Sequence, residues 1–318
     1  MENVTSFLQW EDKISIELQR LYELYGYDRY RMEKFEPYDM YMENKRFINA
    51  SSVITFYDAD GKLMALKPDV TLSVVKNTNA DEKMKKVYYL ENVFRMDGRT
   101  REYRELKQIG LEFIGGDGFY PEAEAVTMAA KSMAAISGDF VLCISNCDIV
   151  PHILEQYDVP AEVREDILTS VRHKNLHRLA ELLGENTQCC DLIKKAAVLP
   201  EDPERALETL GKICSDSVGQ ECVSELRQVW DVLKSEGFGD KTVIDLSIIN
   251  ETGYYNGIAF HGYISGQPGA VLSGGRYDSL MAKMGKSQRA LGFAIYIGSL
   301  YGHMQGEREY DSDVLLVY

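Results

Sequence analysis

Val87-Tyr-Tyr-Leu-Glu-Asn-Val-Phe-Arg95, followed after a short loop by Glu102-Tyr-Arg-Glu-Leu-Lys-Gln-Ile-Gly-Leu-Glu-Phe-Ile-Gly115, reads as two successive β-strands over about 87–95 and 107–114. Successive side chains of a strand point to opposite faces, so Ile109, Leu111 and Phe113 share one face and Gln108, Gly110 and Glu112 the other. The first face belongs in a core. The second offers an amide and a carboxylate across a glycine gap, which suits the amino group or ring nitrogen of a small polar ligand. An ordinary solvated sheet face is the alternative reading of the same residues.

Upstream, Phe7, Trp10, Ile14, Leu18, Leu21 and Tyr25 recur at helical spacing, with Thr5 or Ser6 placed to cap and Gly26 to stop an amphipathic helix. The runs at 53–57 and 62–66 flank the polar turn Asp58-Ala-Asp-Gly61 and predict a β-hairpin. Downstream, 120–136 has helical periodicity and 139–144 reads as a strand. Helix, strands, helix, strand is an α+β order. From about 150 to 236 short helical segments alternate with Pro160, Gly184, Pro200 and Pro203, predicting a helical insertion. Strands resume at about 242–247, 256–264, 269–273 and 290–297, and the run to Tyr318 resembles one more. The expected division is a core in two parts, 1–149 and 237–310, around an insertion at 150–236. Residues 311–318 are read as the start of a missing or trimmed carboxyl-terminal segment.

The chain has 318 residues, 45% of them hydrophobic and 27% charged, with 8 Pro, so it is globular throughout. Its 35 Lys plus Arg face 50 Asp plus Glu, a formal net charge of −15 that repels phosphate backbones and argues against broad nucleic-acid binding. No apolar stretch approaches the roughly 18 residues that span a bilayer, and Met1-Glu-Asn3 lacks a charged n-region ahead of an apolar core. A soluble, unexported, cytoplasmic protein is expected. Cys143, Cys147, Cys189, Cys190, Cys214 and Cys222 form no CxxC pair and do not cluster with His, so buried or idle thiols are expected and no metal site.

Three more stretches bear chemistry. In Leu66-Lys-Pro-Asp-Val-Thr71 a proline ends a strand and delivers a carboxylate and a hydroxyl; the plainer reading is a turn with a helix N-cap at Thr71. Asn250-Glu-Thr-Gly-Tyr-Tyr-Asn-Gly257 and Leu272-Ser-Gly-Gly-Arg-Tyr-Asp278 combine tyrosines with glycines that allow close backbone approach. Arg276 offers a fork for a carboxylate or phosphate, or is an exposed residue at the end of a Gly-Gly hairpin.

Taken in order, with a helical block between the second and third, these stretches resemble the histidyl-tRNA synthetase-like class II family from residue 6 to about 305. The resemblance implies an antiparallel sheet flanked by helices and a two-fold dimer through the amino-terminal helix and first strands. It also implies a histidine site in which Asp69, Thr71 and Gln108 face the α-amino group and Glu112, Tyr255 and Tyr277 the imidazole.

Departures from the pattern decide the branch. Where the synthetases carry Gly-Phe-Ala-x-x-x-Glu-Arg-Leu, this chain has Gly292-Phe-Ala-Ile-Tyr-Ile-Gly-Ser-Leu300, and their Arg-Gly-Leu-Asp-Tyr-Tyr becomes Asn250-Glu-Thr-Gly-Tyr-Tyr255. Phe-Arg-His-Glu becomes Phe94-Arg-Met-Asp97, and the motif 1 proline is lost near Met32 or Glu33. Neither Ser299 nor Asn250 can supply the cation that stabilises charge developing on phosphate. The chain also ends where an anticodon-binding domain would begin. A silent paralogue of this kind looks like the regulatory subunits of ATP phosphoribosyltransferase, which act in the first step of histidine biosynthesis. That likeness implies no catalytic residue, no cofactor and no tRNA. It implies a short-form catalytic subunit as partner and histidine as feedback ligand. The catalytic core of a divergent histidyl-tRNA synthetase is the alternative. Arg95 and Arg276 stand as phosphate or ion-pair contacts. Arg95 is expected to pair with Glu91 or Asp97 and to meet no part of histidine.

Overall fold

The computed structural model describes residues 8–44, 52–79, 83–96, 100–116, 118–249 and 254–300. Helix α1 (Trp10–Leu24) buries Ile14, Leu18 and Tyr22, every fourth residue, and Gly26 takes a φ of 78° just past its end. It starts later than the sequence predicts. Gln9, extended and without a side-chain cap, precedes Trp10, and the expected caps Thr5 and Ser6 lie outside the described residues. Glu11 and Asp12 in the first turn complement the positive helix end instead.

Strand β1 (Asp28–Arg29) runs along the edge of the main sheet and is followed by β2 (Phe35–Pro37), α2 (Tyr38–Glu43), β3 (Thr55–Tyr57) and β4 (Leu63–Leu66). The hairpin predicted around Asp58–Gly61 is present: Asp58 accepts from the Asp60 and Lys62 amides, and Gly61 has a φ of 76°. It belongs to a separate small sheet ordered β2-β4-β3. Helix α3 (Thr71–Lys76) starts five residues after β4 ends and leads to β5 (Met84–Met96) and β6 (Tyr103–Gly115), which pair antiparallel along their whole length. Then come α4 (Tyr120–Ile136) and β7 (Phe140–Asn146).

Between β7 and the next strand every element is helical: α5 (Ile149–Gln156), α6 (Ala161–Arg172), α7 (Leu176–Leu183), α8 (Gln188–Ala197), α9 (Pro203–Ile213) and α10 (Ser217–Ser235) apart from one 3₁₀ turn. Strands β8 (Thr242–Ile244), β9 (Ile258–Ile264) and β10 (Leu272–Arg276), helix α11 (Asp278–Lys283) and β11 (Ala290–Tyr296) complete the described chain. None of its described helices is long and apolar enough to cross a membrane.

The main sheet has the order β1-β5-β6-β11-β10-β9-β7-β8, antiparallel except at its edges, where β1 runs with β5 and β7 with β8. A parallel neighbour needs a long crossover, and the six helices between β7 and β8 supply it. Both faces of the sheet are covered. One packs Ile109, Leu111 and Phe113 against α1, α4 and the helical block; the other gathers Tyr89, Val93, Leu72, Val75, Tyr277 and Leu280. The solvated-face reading of Gln108 and Glu112 is therefore corrected: they are 3% and 1% exposed.

The strand predicted at 269–273 is also displaced, to Leu272–Arg276. Gly274 and Gly275 do not turn the chain there. They lie mid-strand because a Cβ on Gly274 would fall 2.5 Å from that of Phe293, and one on Gly275 2.8 Å from the Tyr255 ring.

Candidate functional site

Pro68 ends the run from β4 and turns the chain toward α3. Thr71 is the first helical residue rather than the cap: Val70 holds the N-cap position, and Asp69 just ahead of it accepts from the Leu72 amide through Oδ1 at 2.9 Å. Thr71 is thereby free to turn inward, where its hydroxyl donates to Glu112 Oε1 at 2.6 Å. From the far side Tyr277, at the end of β10, donates its hydroxyl to Glu112 Oε2 at 2.7 Å. Both oxygens of one buried carboxylate are thus held by hydroxyls from two distant segments.

The register explains how Glu112 fits. It pairs with Gly292 on β11, and a Cβ at Gly292 would lie 1.9 Å from Glu112 Oε2. One step along, Ala294 faces Gly110, and Tyr296 faces Gln108. On β5, Tyr89 opposes Gly110, where a Cβ would sit 2.6 Å from the tyrosine hydroxyl. Small residues on the middle strands leave a hollow, and the larger side chains around them form its walls.

That hollow is a cavity of about 210 Å³ lined by Asp69, Thr71, Gln108, Glu112, Tyr255 and Tyr277, all six residues of the expected histidine site. Thr71 stands with Glu112 rather than apart from it. Tyr254 stacks edge-on to Tyr255 at 5.1 Å and lies 6.0 Å from Tyr277, and Tyr255 is hydrogen-bonded to Ser273. Sequence reading missed Tyr89, Ser273 and Tyr296 as lining residues. Alternation along Ala290–Tyr296, which puts Gly292, Ala294 and Tyr296 on one face, was the signal that could have found part of this wall.

Arg95 departs from expectation. It lines the same cavity and is the only cation among the described lining residues. Glu91 is taken by Lys67, and Asp97 lies outside the described residues, so Arg95 instead donates through Nε to the Pro68 carbonyl at 2.6 Å and faces Asp69 at 3.6 Å. Arg276 points the other way. It is 9% exposed and held by Glu122, Glu225 and Asp278, which corrects the exposed-hairpin reading and makes it an ion-pair residue. It borders a second cavity, of about 850 Å³, between α4, α5 and α10. Asn250 and the Ser299 side chain lie outside the described residues.

Electrostatics follow from burial. Desolvation pushes the Glu112 carboxyl up to about 8, with Thr71 and Tyr277 opposing and Asp69 adding to the rise. Burial likewise holds the hydroxyls of Tyr89, Tyr254 and Tyr277 well above the ordinary tyrosine value, so they are neutral donors. The cavity thus joins one cation, one exposed-side carboxylate, an amide and a protonatable carboxyl within an aromatic wall. Such a set matches a zwitterion with a hydrogen-bonding ring: carboxylate to Arg95, ammonium to Asp69 and Gln108, ring nitrogen to Glu112. The six cysteines are free thiols, and burial pushes those of Cys143 and Cys214 up to about 11. Among the described residues no three His, Cys, Asp or Glu gather to hold a metal ion.

The family model described as histidyl-tRNA synthetase matches residues 8–300. A curated relative from Bacillus cereus, described as an ATP phosphoribosyltransferase regulatory subunit, is 26% identical over 306 residues, 94% of this chain and 73% of that protein. Among solved structures, an ATP phosphoribosyltransferase regulatory subunit/histidyl-tRNA synthetase from Bacillus halodurans superposes with a TM-score of 0.82 at 21% identity, covering 93% of this chain and 79% of that one. A chain of the ATP phosphoribosyl transferase (HisG:HisZ) complex from Thermotoga maritima gives 0.72 at 16% identity, with 91% and 97% covered. At these identities the structures bear on the fold.

Proposed function

The chain belongs to the histidyl-tRNA synthetase family, and within it we propose a non-catalytic regulatory subunit of ATP phosphoribosyltransferase that enables a short-form catalytic subunit and senses histidine. The observation that carries the reading is a contrast. The cavity keeps a buried carboxylate, an amide and a tyrosine cluster suited to histidine, while Asn250 and Ser299 replace the two arginines that would clamp ATP. Losing a cation where charge develops on phosphate forfeits about 3 kcal/mol or more of transition-state stabilisation for each position. Binding without activation is the function such a site retains. Names of the similar proteins support the same reading, since one is a regulatory subunit and another a chain of a HisG:HisZ complex.

The test has two arms. Purified protein is mixed with a short-form catalytic subunit, and the condensation of ATP with phosphoribosyl pyrophosphate is followed with and without L-histidine. The expected outcome is a complex on gel filtration, a rate above that of the catalytic subunit alone, and inhibition by histidine. In parallel, histidine-dependent exchange of pyrophosphate into ATP is expected to stay at the no-enzyme blank. Exchange above it, with no effect on the phosphoribosyltransferase, would overturn the proposal in favour of a synthetase core.

A further inference from the structure

Lys67 is the only buried lysine among the described residues, at 2% exposure, and it sits one residue before Pro68 in the connection that delivers Asp69 and Thr71. Its ammonium bonds the carboxylate of Glu91 on β5, whose other oxygen accepts from the Met32 amide at 3.2 Å. The Lys67 backbone is fixed as well: its amide donates to the Lys34 carbonyl at 3.1 Å, and its carbonyl accepts from the Phe94 amide at 2.9 Å. Next in line, Arg95 grips the Pro68 carbonyl. The connection is thus fastened to β5 at three points, Glu91, Phe94 and Arg95, before it reaches the cavity.

A buried ion pair is weak evidence for stability, since apolar residues of similar volume are often equally stable in its place. What it provides is a fixed geometry, because an ammonium in that setting tolerates few alternatives to its one partner. We propose that Lys67 and Glu91 form a positioning pair for the ligand cavity, holding the 67–71 connection so that Asp69 and Thr71 are pre-set for the ligand. Neither side chain lines the cavity. Their effect runs through the backbone they anchor, and the binding arm of the test rests on the histidine reading above.

The experiment compares Lys67→Met/Glu91→Gln with a control at a second largely buried pair, Lys86→Met/Glu124→Gln, which lies toward α1 and α4 and away from the cavity. Glutamine keeps an acceptor for the Met32 amide and, in the control, for Tyr120. Hydrogen exchange followed by mass spectrometry reads the 67–75 segment in the ligand-free protein, and calorimetry reads L-histidine. The first variant is expected to speed exchange in 67–75 about tenfold and weaken L-histidine about tenfold, with the control unchanged in both. Lys67→Arg, which keeps a cation for Glu91, is expected to restore both. Should the double variant not fold, Glu91→Gln alone gives the same readouts. Unchanged exchange in 67–75, or equal loosening by the control, overturns the proposal. Faster exchange with no histidine binding even by the unmodified protein leaves the positioning role standing and removes the histidine reading.

Discussion

Glu112 is held by Thr71 and Tyr277 in a site dry enough to push its pKa up to about 8. Between pH 4.5, the ordinary carboxyl value, and pH 8 the folded protein therefore keeps a proton that the unfolded chain has released. Stability falls as pH rises through that window and levels off above it. Glu112→Gln removes this slope, so its melting temperature relative to the parent is expected to climb from pH 5 to pH 8.5 in thermal scans, while histidine binding weakens by about tenfold or more. A gain that is flat with pH would show that the carboxyl is ionised throughout.

On the proposed histidine reading, the same group sets the pH profile of binding. If the bound imidazole and Glu112 share one proton, the complex takes up or releases none between the free ring's value of about 6.5 and the carboxyl's value near 8. Below that range binding expels a proton, and above it binding must capture one. Affinity for L-histidine measured calorimetrically is thus expected to plateau at mildly alkaline pH and decline on either side; a steady rise up to pH 9 would contradict the shared proton.

Among the elements, β6 and β11 make the cavity together, and their glycines decide whether it exists. A Cβ at Gly292 would meet Glu112 Oε2 at 1.9 Å and the Leu111 carbonyl at 2.4 Å, so Gly292→Ala has no relaxed position. It is expected to cost about 3 kcal/mol in denaturant melts and to abolish histidine binding. Gly298→Ala, with its nearest neighbour 3.6 Å away, should be close to neutral. Strand alternation in Gln108–Glu112 was legible because one face is wholly apolar, and the helix of 120–136 was legible from its period. The position of β10 was not, since a glycine pair signals a turn and a close-packed strand alike, and only Phe260 and Phe293 across the sheet decide between them. The ion-pair reading of Arg276 holds and only its exposed alternative fails, because the partners Glu122 and Glu225 lie on α4 and α10, far off in sequence. The six residues named from motif order all line one cavity, whereas Arg95's place in the cavity depends on Glu91 already being engaged by Lys67.

At the scale of the whole molecule, the apolar face of α1 proposed for a dimer is used inside the subunit, where Tyr22 bonds Ser132 and stacks on Phe293. The small sheet is left with Phe35 and Tyr57 exposed at 52% and 73%. A dimer through these first strands is the expected assembly, read as a dimer mass by sedimentation at micromolar concentration. Phe35→Glu with Tyr57→Glu is expected to give monomers, and a monomeric parent would remove the interface.

The cavity straddles the seam where β6 meets β11, two strands separated by the entire helical block, whereas β5 and β6 are joined by a short loop. Closing the long loop is entropically the harder event, so the hairpin can form early and the seam late. A ligand that recognises Glu112 opposite Gly292 has nothing to grip until β11 docks. L-histidine is therefore expected to leave the refolding rate in stopped-flow experiments untouched while slowing unfolding in proportion to its occupancy, a clock that runs in one direction only.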